Sequence, residues 1–342
     1  MKHIILLLIL ALSCTIPLVA AETVSEPIHF KRTRVIIDND FCGDPDGLFQ
    51  LVHQLLSKTT DIRGIIGGHL SRHAGFSSRT DYATESVEIV RKTIATLGVG
   101  NNIPVVAGTE QPLQSTTEPA ISAGAKLIIH EAKRSSPRDP LYVLCGGSLS
   151  NIASAWLMDS TIQDRVILIW IGGQEYAELG ALPPPRHSRV EYNLSLSIPA
   201  AQVIFNQSRI RLWQIPRNVY RQCIYSLDEC EAKISPCGKI GAYLKNELDQ
   251  LIQSCEKNNC PMGEAYVLGD SPLVLLSSLQ TSWEPDPASS HYVILPAPTI
   301  QANGDYARNP KGRSIRVYTT VDTRLMFGDF EAKLKLHRLA NQ

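Results

Sequence analysis

Four carboxylates fall within nine residues of the stretch Asp38-Asn39-Asp40-Phe41-Cys42-Gly43-Asp44-Pro45-Asp46-Gly47. Like charges held about 4 Å apart repel by about 1 kcal/mol in water and several-fold more near a protein interior. Such a cluster is therefore tolerable mainly where a cation neutralises it. Oxygen-only donors select calcium or magnesium over softer ions. Carboxylates of this kind can hold a metal, take a proton from water and accept hydrogen bonds from sugar hydroxyls.

Elements that position this loop are legible on both sides. The apolar run Arg34-Val35-Ile36-Ile37 reads as a strand before it, and residues 47–56 read as a helix after it. The alternation continues with Ile62 to Ile66, Tyr82 to Leu97, Pro104 to Ala107, Ile121 to Lys133, Leu141 to Cys145, Leu149 to Met158 and Val166 to Ile171. Short β-rich runs separated by helical patterns imply an α/β fold: an open, mostly parallel sheet with helices on both faces. In such a sheet ligands bind at the carboxyl ends of strands, which is where the acidic loop falls. After Gly172 the pattern loosens into Gly180-Ala181-Leu182-Pro183-Pro184-Pro185-Arg186-His187, too proline-rich for a regular element and expected as a loop beside the pocket.

The chain has 342 residues, 44% hydrophobic and 19% charged, enough apolar material for one large domain, expected over residues 33–342. Its 33 basic and 33 acidic residues cancel, so nothing favours a nucleic-acid backbone or an anionic membrane as partner. A neutral small molecule fits better, and a homo-oligomeric state stays open. Met1-Lys2-His3 followed by the apolar run to Leu12 has the form of a secretory signal, with cleavage expected after Ala21 or before a lipid-bearing Cys14. The run falls short of the ~20 residues of a membrane span. Export, periplasmic or fully secreted, is the resulting expectation. Five cysteines crowd into a helical-looking stretch around residues 221–262, where Cys230 with Cys237 and Cys255 with Cys260 are candidate pairs. Nearby thiols pair as disulfides in an oxidising compartment, although spacing alone does not fix connectivity.

The acidic loop resembles the amino-terminal signature of the inosine-uridine preferring nucleoside hydrolase family: a strand, Asp-x-Asp-Pro-Gly-x-Asp-Asp, then an apolar helix. Here one residue is inserted, the Pro-Gly pair is absent, and Pro45 splits the adjacent aspartates. The resemblance implies that Asp40 is a calcium ligand and the catalytic base, Asp46 a bidentate ligand, and Asp44 a ribose contact, with the last two roles exchangeable. Later blocks follow in order. Leu144-Cys145-Gly146-Gly147-Ser148-Leu149-Ser150-Asn151 resembles a turn whose backbone carbonyl, here that of Gly146, completes the metal shell. Ile171-Gly172-Gly173 resembles a Met-Gly-Gly strand end. Glu191-Tyr192-Asn193 resembles a Glu-Phe-Asn block that grips ribose, its two polar residues expected on one side of an extended segment. Leu268-Gly269-Asp270-Ser271-Pro272 resembles a His-Asp-Pro turn in which Asp270 binds both metal and sugar. Val321-Asp322 and the helical run to Leu339 look like the closing segment.

Two other loops share part of the pattern. An EF-hand needs a helix where this chain has a strand, and a glutamate where Phe49 stands. A haloacid-dehalogenase-like phosphatase also begins with a strand and Asp-x-Asp, but Phe41 and Cys42 replace its usual small residue and threonine. The resemblance implies calcium-dependent hydrolysis of an N-riboside through an oxocarbenium-like ribose, with Asp44, Glu191, Asn193 and Asp270 on the hydroxyls. Gly269 stands where inosine-uridine preferring members carry a histidine. His187, Tyr176, Tyr220, Arg221 and His69 are the candidates to replace it as leaving-group acid. A calcium-dependent ribose- or nucleoside-binding protein with little turnover is the alternative.

Overall fold

Parallel strands covered on both faces need continuous apolar runs rather than an alternating pattern, and the runs centred on Ile37, Val143 and Leu168 supply them. The computed structural model describes residues 32–71, 75–185, 187–260, 262–280 and 290–342. The first half runs β1 (Thr33–Asn39), α1 (Asp46–Leu55), β2 (Thr60–Gly67), α2 (Tyr82–Leu97), β3 (Val105–Ala107), α3 (Ala123–Lys133), β4 (Leu141–Cys145), α4 (Ser150–Met158) and β5 (Val166–Ile171). The second half runs α5 (Tyr192–Leu196), α6 (Ile198–Gln202), β6 (Arg211–Ile215), α7 (Arg217–Tyr220), β7 (Ile224–Ser226), α8 (Leu227–Glu229), α9 (Gly238–Lys257), β8 (Ala265–Val267) and α10 (Pro272–Ser278). It closes with β9 (His291–Pro296), β10 (Thr299–Ile300), β11 (Tyr306–Ala307), β12 (Ser314–Thr320) and α11 (Thr323–Ala340).

Eight strands form one sheet in the order β3-β2-β1-β4-β5-β6-β12-β9. All neighbours pair in parallel except β9, which joins β12 antiparallel at the edge. Alternate residues of each strand serve opposite faces. Val35 and Ile37 enter the apolar layer beneath α1, α2, α9, α10 and α11, whereas Ile36 enters the layer beneath α3, α4 and α6. This is the open, mostly parallel sheet with helices on both faces that the alternation implies. Strand order runs outward in opposite directions from β1 and β4, so the crevice outside their carboxyl ends is a topological switch point. The acidic loop leaves β1 there, and Gly146 leaves β4 beside it.

Three local expectations are corrected. Tyr192 to Leu196 is helical rather than extended, because the Glu191 carboxylate caps it by accepting from the Asn193 and Leu194 backbone N–H groups at 3.0 and 2.9 Å. Asp270 is not a helix cap; Ser271 holds that position, and the Asp270 side chain turns toward Asn39. The cysteine-rich stretch is mostly helical but opens with β7, which pairs antiparallel with β8. The seven described cysteines are free: Cys230 is spent in the apolar core, and Cys237 donates its thiol proton to the Lys233 carbonyl at 3.1 Å. The leader, its cleavage sites and Cys14 lie outside the described residues. No helix among the described residues is long and apolar enough to cross a membrane.

The close seat of α2 on β2 makes a test of packing. A Cβ at Gly67 would meet the Ala83 carbonyl oxygen at 2.6 Å and the Ser86 Cβ at 2.8 Å, whereas one at the exposed Gly328 of α11 would meet nothing. Denaturant titration should show Gly67→Ala losing about 1–3 kcal/mol through overpacking. Gly328→Ala should be neutral or gain about 0.5–1 kcal/mol, the usual cost of glycine inside a helix.

Candidate active site

Asp38 and Asn39 end β1, and Asp40 begins the loop that follows. The Gly146-Gly147 pair after β4 is pressed against this strand end. A Cβ at Gly146 would sit 2.5 Å from Asn39 Nδ2, and one at Gly147 would sit 3.1 Å from Asp40 Oδ1. Two glycines are what lets the second strand end reach the carboxylates. Farther along, the Asn193 amide donates to the Gly146 and Ile171 carbonyls, both at 2.9 Å, tying the ends of β4 and β5 together. Those two bonds, and its place in the cavity, leave the asparagine of Asn193-Leu194-Ser195 no freedom to carry a glycan.

Asp40, Asp44, Asp46, Gly146, Glu191, Asn193 and Asp270 all line one cavity of about 610 Å³. Four segments separated by up to 230 residues thus meet at the switch point. Asp46 Oδ2 accepts from the Asp270 backbone N–H at 3.2 Å, and Asp270 Oδ2 accepts from Asn39 Nδ2 at 2.8 Å. The Tyr266 hydroxyl donates to the Asp44 carboxylate. Asn151 Nδ2 donates to Asp38 Oδ1 at 3.0 Å, while Asp38 Oδ2 is buried without a partner among the described residues.

Burial is the first cause of a raised pKa at Asp38, Asp40, Asp46 and Asp270. Asp40 and Asp46 are pushed well above the ordinary carboxylate range by burial and then by Asp270 and Asp44. Asp270 is pushed up to about 7 by burial, which the Asn39 hydrogen bond offsets in part. Asp38 also reaches about 7 through burial, against the Asn151 bond. Buried like charges shifted in this way are the signature of a site short of positive charge.

The donor set suits a hard divalent cation: carboxylates of Asp40, Asp46 and Asp270, with the Gly146 carbonyl keeping a second lone pair beside its bond to Asn193. Among the described residues, however, no three His, Cys, Asp or Glu side chains are gathered tightly enough to hold an ion as placed. The reason is visible in the bonding, since the carboxylate oxygens face Asn39, Tyr266 and each other's backbone instead of a common point. The residues fit the group in kind.

Glu191 departs most from its expected use. It is fully buried and accepts four hydrogen bonds: from Gly173 N at 2.7 Å, Leu194 N at 2.9 Å, Asn193 N at 3.0 Å and the Tyr220 hydroxyl at 2.9 Å. A carboxylate has about four acceptor sites, so a sugar hydroxyl must displace one of these donors. Sequence reasoning gave Glu191 to the sugar and missed its hold on Tyr220.

The five leaving-group candidates separate cleanly. His69 is buried with its Nε2 on Ser150 Oγ at 2.9 Å, its pKa depressed to about 4 by burial. Tyr176 is buried and donates to Gln214 Oε1 at 2.6 Å. Neither lines the cavity, whereas His187, Tyr220 and Arg221 do. A Cβ at Gly269 would lie 3.2 Å from the Tyr220 ring and 3.3 Å from Asp46 Oδ2. The tyrosine ring therefore takes the room that a histidine at position 269 would need. Asn39 and Tyr266 were not legible as site residues, although Asn39 lies inside the acidic motif itself; Tyr220 was one of the five leaving-group candidates, but its bond to Glu191 was not legible.

No sequence-family model matches the chain, and no curated protein matches it in sequence. Solved structures do match in three dimensions. The purine-preferring ribonucleoside hydrolase from Gardnerella vaginalis aligns with a TM-score of 0.68 and 18% identity over 90% of this chain and 99% of that one. A plant nucleoside hydrolase aligns at 0.64 and 16% over 89% and 99%, and the inosine-uridine preferring nucleoside hydrolase from Bacillus anthracis at 0.63 and 16% over the same shares. The chain has the nucleoside hydrolase fold. That leaves the haloacid-dehalogenase-like reading without support.

The raised pKa values set a pH dependence for the metal-free protein. A carboxylate whose folded pKa exceeds its unfolded value contributes stability below the unfolded pKa and loses it as pH rises through the folded one. With Asp38 and Asp270 at about 7, the melting temperature in chelator should fall from about pH 5 to about pH 8. Asp38→Asn removes one of these groups and should flatten that slope; an unchanged slope would contradict the assigned burial effect.

Proposed function

We propose that the chain is a calcium-dependent N-ribosyl hydrolase that cleaves a ribonucleoside or related N-riboside to ribose and base. The observation that carries this reading is the convergence of Asp40, Asp46, Gly146, Asn193 and Asp270 on one cavity at the switch point of a nucleoside hydrolase fold. The named activities of the matching structures support it.

Asp40, Asp46, Asp270 and the Gly146 carbonyl would hold the cation. When bound, calcium would orient a water and lower its pKa. Asp40 accepts the water proton as general base. Asp44 and Asp270 accept from ribose hydroxyls, and Asn193 fixes the two strand ends that form the floor of the sugar pocket. Glu191 holds Asn193 and Tyr220 in place through its saturated carboxylate, and it meets the sugar where a hydroxyl replaces that of Tyr220. The apolar start of the chain makes export, with or without a lipid on Cys14, part of the proposal.

One observation favours a second reading. Gly269 replaces the expected histidine, and Tyr220, whose ring fills that space, already donates its proton to Glu191. Loss of general-acid help costs ~10²–10⁴-fold in rate, which would leave a calcium-dependent nucleoside-binding protein with little turnover.

Incubation with a nucleoside panel, with and without chelator, should release ribose only when calcium is present. Asp40→Asn keeps the size of the side chain but removes the proton-accepting charge, and should cut turnover by at least ~10²-fold while folding survives. Asp46→Ala should weaken calcium binding, sugar binding and thermal stability together. Calcium-dependent nucleoside binding without any ribose release would replace the hydrolase by the binding protein.

A further inference from the structure

The cavity contains several carboxylates but, among the described residues, a single arginine or lysine lines it: Arg221, at the end of α7. One turn earlier Arg217 is fully engaged. Its guanidinium donates to both oxygens of Glu175 at 2.6 and 2.7 Å and to the Ser188 carbonyl at 2.9 Å. Arg221 has no hydrogen-bond or ion-pair partner among the described residues. An unpartnered guanidinium in a cavity shared with flat faces from Phe76, Tyr192 and Tyr266 is equipped to receive a planar group carrying negative charge.

The other proton sources of the cavity are weak. The Tyr220 hydroxyl is held by Glu191, and burial together with that carboxylate raises its pKa. His187 is held below the usual imidazole range by burial and then by Arg221 and Arg217. A guanidinium keeps its protons at any physiological pH. It stabilises charge and donates hydrogen bonds without giving up a proton.

We propose that the cavity selects N-ribosides whose base departs as an anion, that is, ribosides of acidic, oxo-rich heterocycles, with Arg221 as the residue that stabilises the departing base. This rests on the N-riboside hydrolase reading and names its substrate class. In the step, the bond from C1′ to the base nitrogen breaks and its electron pair leaves with the base. Water forms the new bond to C1′, and its proton passes to Asp40. The base anion leaves against Arg221 and takes a proton from solvent afterward. Bases that must be protonated to leave are poor substrates, because among the described residues the Tyr220 hydroxyl is held by Glu191 and His187 is held below the usual imidazole range.

Steady-state rates on xanthosine, adenosine, uridine, cytidine and 4-nitrophenyl riboside test the proposal, using the calcium-loaded full chain. Xanthosine should exceed adenosine, and uridine should exceed cytidine, each by at least about tenfold in kcat/KM, a modest share of what one charge-stabilising donor supplies. Arg221→Gln should lower kcat/KM for xanthosine and uridine by about 10²-fold, as for loss of such a donor, and lower it far less for the nitrophenyl riboside, whose leaving group needs little help. Arg221→Lys should restore part of the loss. Failure of the unmodified protein to cleave even the nitrophenyl riboside would remove the hydrolase reading itself. Cleavage of that compound with adenosine and cytidine preferred, or equal losses on every substrate in Arg221→Gln, would overturn the anionic leaving group and leave the hydrolase standing.

Discussion

Repulsion among buried carboxylates is the constraint on which this structure turns. Asp40, Asp44, Asp46 and Asp270 approach one another in a cavity where water screens them poorly, and the charges of Asp44 and Asp270 raise the proton affinity of Asp40 and Asp46. A fold gains nothing from such an arrangement by itself, because separating the charges would be more stable. The surroundings hold them together nonetheless. Glycines at 146 and 147 admit the second strand end, Asn39 and Asn151 donate to the aspartates, and Asn193 clamps the carbonyls of β4 and β5. Strain maintained by so many contacts is expected where a ligand, here a cation, relieves it.

Much of the sheet was legible because parallel strands announce themselves as unbroken apolar runs. The expected spans Tyr82–Leu97, Leu141–Cys145 and Val166–Ile171 are the observed α2, β4 and β5. The acidic loop was legible for the same reason, since charge crowding at a strand end has few uses. What escaped was decided by contacts between distant segments. Glu191-Tyr192-Asn193 has no local feature that prefers helix over strand, and the helix forms because Glu191 caps it from a buried position. Tyr220 reads as one of several leaving-group candidates, and only the fold shows that its ring takes the space beside Gly269, forty-nine residues later. Asn39 sits between two aspartates and was passed over as a spacer, yet it binds the most distant of them.

On the proposed hydrolase reading, glycine at position 269 with the Tyr220 ring beside it would change the leaving-group side and leave the carboxylates in place. Sugar-side chemistry would depend on the ends of β1, β4 and β5, which the core fixes. Leaving-group chemistry would depend on α7 and the loop before α5, where Arg217 and Glu175 form a buried ion pair and Arg221 stands free of described partners. One fold could in this way keep a metal and ribose site while changing which base departs.

Calcium titration of the metal-free full chain by calorimetry at about pH 6, repeated in two buffers of different ionisation enthalpy, measures the central claim most directly. Asp270, with a folded pKa of about 7, is largely protonated there, and Asp40 and Asp46 are held well above the ordinary carboxylate range, so an ion that binds them must expel protons. The structure predicts about one calcium per chain with release of roughly one proton or more on binding. Absence of binding, or binding with no proton release, would contradict the account of a carboxylate cluster built to be neutralised by a cation.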